Sequence, residues 1–280
     1  MKSYANPHAL MGTSELESRL GDPNHAIVEI DEDTSAYHKG HIPGAVTFDW
    51  QHELHAVPRR DFVSSEQLAE LLGSRGIGSD QTIILYGGNN NWFAAYAYWL
   101  FRLRGVERVR LLDGGRRKWE LESRALDTEQ PARAPQRFRL GSPRPGIRVF
   151  RDEVVTTSGA GGMMVDVRSP AEYSGEILAP PHLPQEQSQV PGHIPGARNI
   201  PWSKAANEDG TFKSPDDLRA LYEGADIVPN GAVITYCRIG ERSAHTWFVL
   251  TELLGYPNVR NYDGSWTEYG SLVGVPVEIG

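Results

Sequence analysis

The sequence predicts an α/β protein built twice, as tandem domains that each hold a parallel sheet with helices on both faces. Three observations predict it. The segment GHIPGAVTFDW at Gly40–Trp50 returns almost intact as GHIPGARNIPW at Gly192–Trp202, 152 residues later, which says that the chain is duplicated. The run Ile83–Tyr86 matches Val233–Tyr236, and Leu112-Asp113-Gly114 matches Tyr262-Asp263-Gly264, both at a spacing of 150. Finally, the strands are short and apolar and alternate with helical segments, the pattern of a parallel sheet covered on both sides.

Taken in order, Ser14 to Glu17 (SELE) offers a capping box for a first helix ending near Gly21. Ala26–Ile30 reads as a strand. After the GHIPGA turn come a helix over Ser65–Leu72, the strand Ile83–Tyr86, a helix over Trp92–Leu103 whose nearly continuous apolar run implies burial, and the Asp113-Gly114 turn. The second half repeats the series. A strand ends in Val165-Asp166-Val167-Arg168, a helix covers Pro215–Tyr222, and Ala232–Tyr236 follows the turn Pro229-Asn230-Gly231 as a buried strand. Ala244, Trp247, Phe248, Thr251 and Leu254 then recur at helical spacing before the stop at Gly255 and Pro257, so a helix begins near Ser243. Leu126–Arg148 carries Pro131, Pro135, Pro143 and Pro145 without periodicity and reads as a linker. The expected division is a domain over 1–125, a linker over 126–146 and a domain over 147–280. The second half also holds an insertion, Ser174–Val190, with Pro180, Pro181 and Pro184, expected as a surface loop.

Composition narrows the function. The 280 residues carry a net charge of −8 with no basic block, which argues against nucleic acid or an anionic membrane surface as partner. No stretch approaches the roughly 18–20 apolar residues of a membrane span, and the N-terminus has no uninterrupted apolar core of a leader, so a cytoplasmic protein is the default expectation. A single cysteine, Cys237, forms no intramolecular disulfide and no Cys-rich metal site.

That cysteine is the sharpest functional signal. A lone free cysteine is usually a small buried hydrophobe. Cys237, however, sits at the carboxyl end of a strand in an α/β sheet, where such folds place ligands, and its loop opens onto a helix N-terminus with Arg238 and Arg242 beside it. Unpaired N–H groups, the helix dipole and two permanent charges suit a thiolate or a substrate oxyanion. The first half has Gly87 at the equivalent place, followed by Gly88-Asn89-Asn90-Asn91, so the duplicated scaffold lacks the sulfur.

Together, the two GHIPGA segments, the Leu112-Asp113-Gly114-Gly115 and Tyr262-Asp263-Gly264-Ser265 turns, the Val165-Asp166-Val167-Arg168 strand end and the CRIGERS loop resemble the two-domain rhodaneses, sulfurtransferases of the thiosulfate type, over nearly the whole chain. The resemblance implies a six-residue loop whose amides cradle a cysteine persulfide, with Cys237 as nucleophile and Arg238, Ile239, Gly240, Glu241, Arg242 and Ser243 binding substrate. It also implies a first domain without catalytic activity and a double displacement. Cys237 thiolate takes the outer sulfur of thiosulfate, sulfite leaves, and the persulfide delivers its terminal sulfur to cyanide or a thiol. Arg forks suit such oxyanions, and no resolving cysteine or cofactor is needed.

In this family a basic loop goes with thiosulfate and a small neutral loop of the CGSGVT kind with 3-mercaptopyruvate, so Arg238 and Arg242 favour thiosulfate and leave the mercaptopyruvate donor as the alternative. Two residues depart from the vertebrate pattern. Glu241 places an acid within the cradle and is expected to point outward or pair with Arg242; Glu172 lies near the place of a donor-binding arginine. Phosphatases of related architecture have five residues between Cys and Arg. Cys237 and Arg242 enclose four, too tight for a tetrahedral phosphate around the sulfur. A non-enzymatic reading remains, a persulfide carrier or thiol sensor in which Cys237 serves a protein sulfur acceptor.

Other motifs read as structural. His52 and His55 (HELH) miss the zinc-protease spacing and lack a third ligand, so no metal is expected. His41 and His193 recur in both GHIPGA copies, including the copy without cysteine, and read as architectural. Asp166 and Arg168 form either a structural ion pair or a support for the site. Gly159–Gly162 precedes a strand instead of following one, so it is not a dinucleotide-binding turn.

Overall fold

The computed structural model describes residues 3–58, 60–181 and 186–280. The chain forms two compact units: His8–Pro145 with Asn207–Phe212, and Gly146–Ala206 with Lys213–Gly280 and the residues up to Pro7. They are called here the N-terminal and the C-terminal unit.

The N-terminal unit contains strands β1 (Leu10–Met11), β2 (His25–Glu29), β3 (Val46–Thr47), β4 (Thr82–Tyr86) and β5 (Val109–Leu112), in the order β1-β5-β4-β2-β3 and all parallel. Helices α1 (Thr13–Glu17), α2 (Ala36–Lys39), α3 (Trp50–Glu53), α4 (Ser65–Ser74), α5 (Trp92–Arg104) and α6 (Gly115–Leu121) flank this sheet. The apolar run seen in the sequence is α5, with eleven buried residues from Trp92 to Leu103. Ser64 caps α4 in a full capping box with Gln67. The box expected at Ser14 does not form. Thr13 already begins α1 with Gly12 as its N-cap, and the Thr13 hydroxyl instead donates to Glu122 at 2.6 Å.

Residues 126–144 carry no helix or strand and lie along the N-terminal unit. Asp127 exchanges two backbone hydrogen bonds with His41, Gln136 N–H donates to Gly73 O at 2.9 Å, and Arg144 N–H to Leu103 O at 3.0 Å.

The C-terminal unit has strands β6 (Met163–Asp166), β7 (Arg198–Asn199), β8 (Val233–Tyr236) and β9 (Val259–Tyr262), parallel and ordered β7-β6-β8-β9. Around it lie α7 (Arg151–Gly159), α8 (Pro170–Ser174), α9 (Pro215–Glu223), α10 (Glu241–Phe248) and α11 (Ser265–Tyr269). β8 lies between β6 and β9, and all four of its residues are buried, each apolar side chain there contributing on the order of 1.5–3 kcal/mol. The helix expected to run from Ser243 to Leu254 begins earlier, at Glu241, and changes at Val249–Leu253 to a π-helical stretch. Of the 174–190 insertion, residues 182–185, including Pro184, lie outside the described residues. Val190 beyond them is fastened to α11, its N–H donating to Gly270 O and its carbonyl accepting from Trp266 Nε1, both at 3.1 Å.

The duplicated turn does the same work in both units. His41 stacks on Tyr37 at 3.8 Å with Nδ1 2.9 Å from the Tyr37 carbonyl, and His193 stacks on Tyr173 at 3.6 Å with Nδ1 2.8 Å from that carbonyl. The following amides, Ile42 N–H and Ile194 N–H, donate to the hydroxyls of Tyr86 and Tyr236 at 3.0 and 3.1 Å. The turn is thereby tied to the end of the central strand, immediately before the loop that differs between the units.

Candidate active site

Cys237 follows the last residue of β8, is fully buried, and is the chain's single cysteine. The backbone turns at once. Gly240, with φ +102°, caps α10, and its N–H points back to Cys237 Sγ at 3.1 Å. Only glycine fits there: a Cβ would lie 2.7 Å from Asp263 Cα and 3.0 Å from Asp263 O.

The loop is stitched down on its other sides. Cys237 N–H donates to Ser265 Oγ at 3.0 Å, and that hydroxyl donates to Tyr262 O at 2.7 Å. Trp266 N–H donates to Cys237 O and Thr267 N–H to Arg238 O, both at 3.0 Å, so the first turn of α11 holds the loop's start. Gly240 O accepts from Asn261 Nδ2 and Ser243 Oγ, both at 3.0 Å. The loop is thus fixed by β9, α10 and α11, and an arrangement of donors fixed in this way stabilises charge at low cost.

Of the residues expected to bind substrate, Arg238, Gly240, Glu241, Arg242 and Ser243 are all buried around the thiol, and Ile239 is partly exposed. Arg242 makes a two-pronged ion pair with Glu172, at 2.9 and 2.8 Å. Glu172 is itself the N3 residue of a capping box with Ser169 at the start of α8. Burial pushes its carboxyl up, but the hydrogen bonds and charge of Arg242, with the Ser169 amide, outweigh this and hold it below the usual carboxylate range. Arg238 Nε donates to Glu186 O at 2.7 Å, and Thr267 Oγ1 reaches the same oxygen at 3.3 Å. Burial and the Arg242 charge push the Arg238 guanidinium below its ordinary value.

Glu241 corrects an expectation. It neither points outward nor pairs with Arg242, because Arg242 is taken by Glu172; its side chain is buried, and burial raises the carboxyl to about 8.

Asp166 and Arg168 are an ion pair, with Nη2 to Oδ2 at 2.6 Å, and Arg168 also donates to Gly192 O at 2.8 Å while its guanidinium lies 4.9 Å from the Trp266 ring centre. The N-terminal unit reproduces this lock with an arginine from another place in the chain: Arg116 binds Glu29 at 2.5 Å and Gly40 O at 2.6 Å. The pair therefore anchors the GHIPGA turn in both copies.

The equivalent loop of the N-terminal unit is closed to a thiol. A Cβ at Gly87 would lie 2.3 Å from Ile30 O. Gly88 N–H is occupied by Asp31 Oδ2 at 2.6 Å, Gly87 N–H by Asn91 Oδ1 at 3.1 Å, and Asn89, Asn90 and Asn91 all take left-handed backbone angles. Ser265, Asn261, Glu186 and the role of Glu172 are not evident from the sequence; the signal that could have found Ser265 is the Asp263-Gly264-Ser265 turn, which belongs to one of the matched pairs. Among the described residues no group of three or more His, Cys, Asp or Glu side chains could hold a metal, and no helix is long and apolar enough to cross a membrane.

Comparison with known proteins places the chain in a family. The profile of the rhodanese-like domain matches residues 12–122 and 151–272. A protein of Mycolicibacterium smegmatis named "Putative thiosulfate sulfurtransferase" is 60% identical over 99% of both chains. The "Sulfur carrier protein TtuD" of Thermus thermophilus is 50% identical, again over 99% of each. Among solved structures, the crystal structure of YnjE superposes with a TM-score of 0.86 at 27% identity, covering all of this chain and 70% of that one. The ergothioneine-complexed persulfide form of EanB has a TM-score of 0.85 at 24% identity, covering all of this chain and 72% of that one, a likeness of fold. With both repeats matched and full-length relatives at such identity, the chain belongs to the rhodanese family and consists of two rhodanese-like domains.

Proposed function

We propose that the protein is a thiosulfate sulfurtransferase in which Cys237 carries the sulfur. Its thiolate attacks the outer sulfur of thiosulfate, the S–S bond of the donor breaks, sulfite departs with the electron pair, and Cys237 is left as a persulfide. The terminal sulfur then passes to cyanide or a thiol. The observation that carries this reading is the Gly240 N–H aimed at Cys237 Sγ at 3.1 Å in a loop fixed on three sides. Such donors stabilise negative charge on either sulfur of the intermediate. Arg238 and Arg242 supply positive charge for the sulfonate end of the donor, with Ile239, Glu241 and Ser243 completing the loop. The division of labour is a catalytic domain over 147–280 and an inactive one over 1–125, consistent with the closed Gly87 loop.

The name of the Thermus relative favours a second reading, in which the persulfide is handed to a protein partner. The two separate in one assay. Steady thiocyanate production from thiosulfate and cyanide, abolished in Cys237→Ser, supports the enzyme. Rapid single loading with no turnover supports the carrier, and no Cys237-dependent transfer in either format would sink both.

A further inference from the structure

In a parallel sheet covered on both faces, strand residues are ordinarily apolar. The N-terminal unit follows this at Leu85 and Leu111, register partners across β4 and β5, both fully buried. The C-terminal unit departs from it at the same place, 150 residues on: the partners across β8 and β9 are Thr235 and Asn261, again fully buried. A hydroxyl and an amide shut away from water cost free energy unless they are hydrogen-bonded, a demand that two leucines do not make. Their bonds lead to the Cys237 loop. Asn261 Nδ2 donates to Gly240 O at 3.0 Å, and the N–H of the same Gly240 donates to Cys237 Sγ at 3.1 Å. Thr235 Oγ1 lies 3.4 Å from Asn261 Oδ1, at the other end of the amide, and 3.2 Å from Ser243 O. The Asn261 main chain is held on both sides, by β8 and by Val149 N–H, which donates to its carbonyl at 3.1 Å. Ser243 Oγ, which also donates to Gly240 O, belongs to α10 itself. In the unit without a cysteine, the Asp31 and Asn91 side chains occupy the loop amides, and Leu111 has no donor to offer.

We propose that Asn261 is a positioning residue for sulfur transfer: by tying the Gly240 carbonyl to the sheet it keeps the Gly240 N–H on Cys237 Sγ, and Thr235 fixes the direction of its amide. The inference rests on the reading of Cys237 as the sulfur carrier. A donor held in place meets the negative charge on sulfur without reorganising, whereas one free to swing away meets it only part of the time. Asn261 touches no reactant and acts through Gly240. Arg238 and Arg242, which face the sulfonate end of the donor, are held from elsewhere, by Glu186 O and by Glu172. Asn261 therefore bears on the rate of the sulfur step and not on the hold on thiosulfate.

The test compares wild type with Asn261→Leu, which installs the side chain that the other unit carries. Single-turnover sulfur uptake is followed by intact mass over a range of thiosulfate concentrations. The maximal rate per folded protein should fall at least about tenfold, part of the loss expected when an oxyanion-hole donor is removed, while the half-saturating thiosulfate concentration stays within about twofold. A smaller fall in the maximal rate overturns the proposal, whatever happens to the urea midpoint, because a change in stability alone is a structural role. A loss confined to the half-saturating concentration overturns it too, since that marks a residue that binds the donor. If wild type gains no sulfur, the persulfide reading fails by itself, and alkylation by iodoacetamide at pH 7, which needs the thiolate but no donor, decides. Asn261→Leu should then react at least about tenfold more slowly than wild type, and a smaller difference overturns the proposal. Should Asn261→Leu yield no folded protein, Asn261→Ala, which adds no bulk, is read in the same way.

Discussion

Arg242 and Glu172 are joined by two hydrogen bonds of 2.9 and 2.8 Å, and their side chains are 6% and 0% exposed. The loop arginine is thus oriented by a carboxylate seventy residues earlier in the chain, from the first turn of α8. Removing one partner of such a pair leaves a buried charge uncompensated, at a cost of about 3–5 kcal/mol. Glu172→Ala should lose that much in urea unfolding at pH 7. Because the Glu172 carboxyl is held below its ordinary value of 4.5, the pair's contribution is present above that pH and is lost as pH falls through the lowered value, so the gap between wild type and variant should close in acid. An unchanged urea midpoint at pH 7 would show that the pair orients nothing.

Gly240→Ala tests the cradle's backbone. The added methyl meets Asp263 main-chain atoms at 2.7 and 3.0 Å in a left-handed conformation, so the loop must shift and the amide must leave Sγ. Thiosulfate-dependent sulfur uptake should fall at least about a hundredfold, as for loss of an oxyanion-hole donor. Uptake within a few-fold of wild type would mean that this N–H is not part of the chemistry.

Much of this was legible in the sequence, and the reason is duplication. The GHIPGA repeat and the paired IILY and VITY strands located both sheets, and the lone Cys237 between a strand and a helix located the site. Glu172 was noticed for what it replaces, but its bond to Arg242 joins segments that only the fold brings together. For Glu241, local spacing offers Arg242 as the nearest partner, and spacing carries no information about the competing carboxylate from α8. The first-helix capping box fails for a similar reason: the Ser14 hydroxyl and the Glu17 carboxylate both accept from Arg124, 110 and 107 residues away.

Glu241 should also be visible in stability. Its folded value is raised from 4.5 to about 8, so the folded state holds the proton more tightly than the unfolded chain. Stability is therefore full below about 4.5 and declines as pH rises through about 8. Glu241→Gln cannot ionise, so its melting temperature relative to wild type should rise between pH 5 and pH 9, by roughly 2–4 °C for each kcal/mol involved. A constant difference across that range would mean that the carboxyl is not held protonated.

The N-terminal loop offers a negative control. Gly87→Cys in a Cys237→Ser background restores the count of thiols but forces a Cβ against Ile30 O at 2.3 Å, where Asp31 already occupies the neighbouring amide. The double variant should be less stable than Cys237→Ser and should take up no sulfur. Uptake at position 87 would contradict the view that this loop is closed.

The central claim is that Cys237 holds a transferable sulfur, and intact mass measurement after exposure to thiosulfate tests it most directly. Wild type should gain one sulfur atom, reversed by cyanide, and Cys237→Ser should gain none. A wild-type mass unchanged by thiosulfate, or a gain that survives Cys237→Ser, would contradict the account.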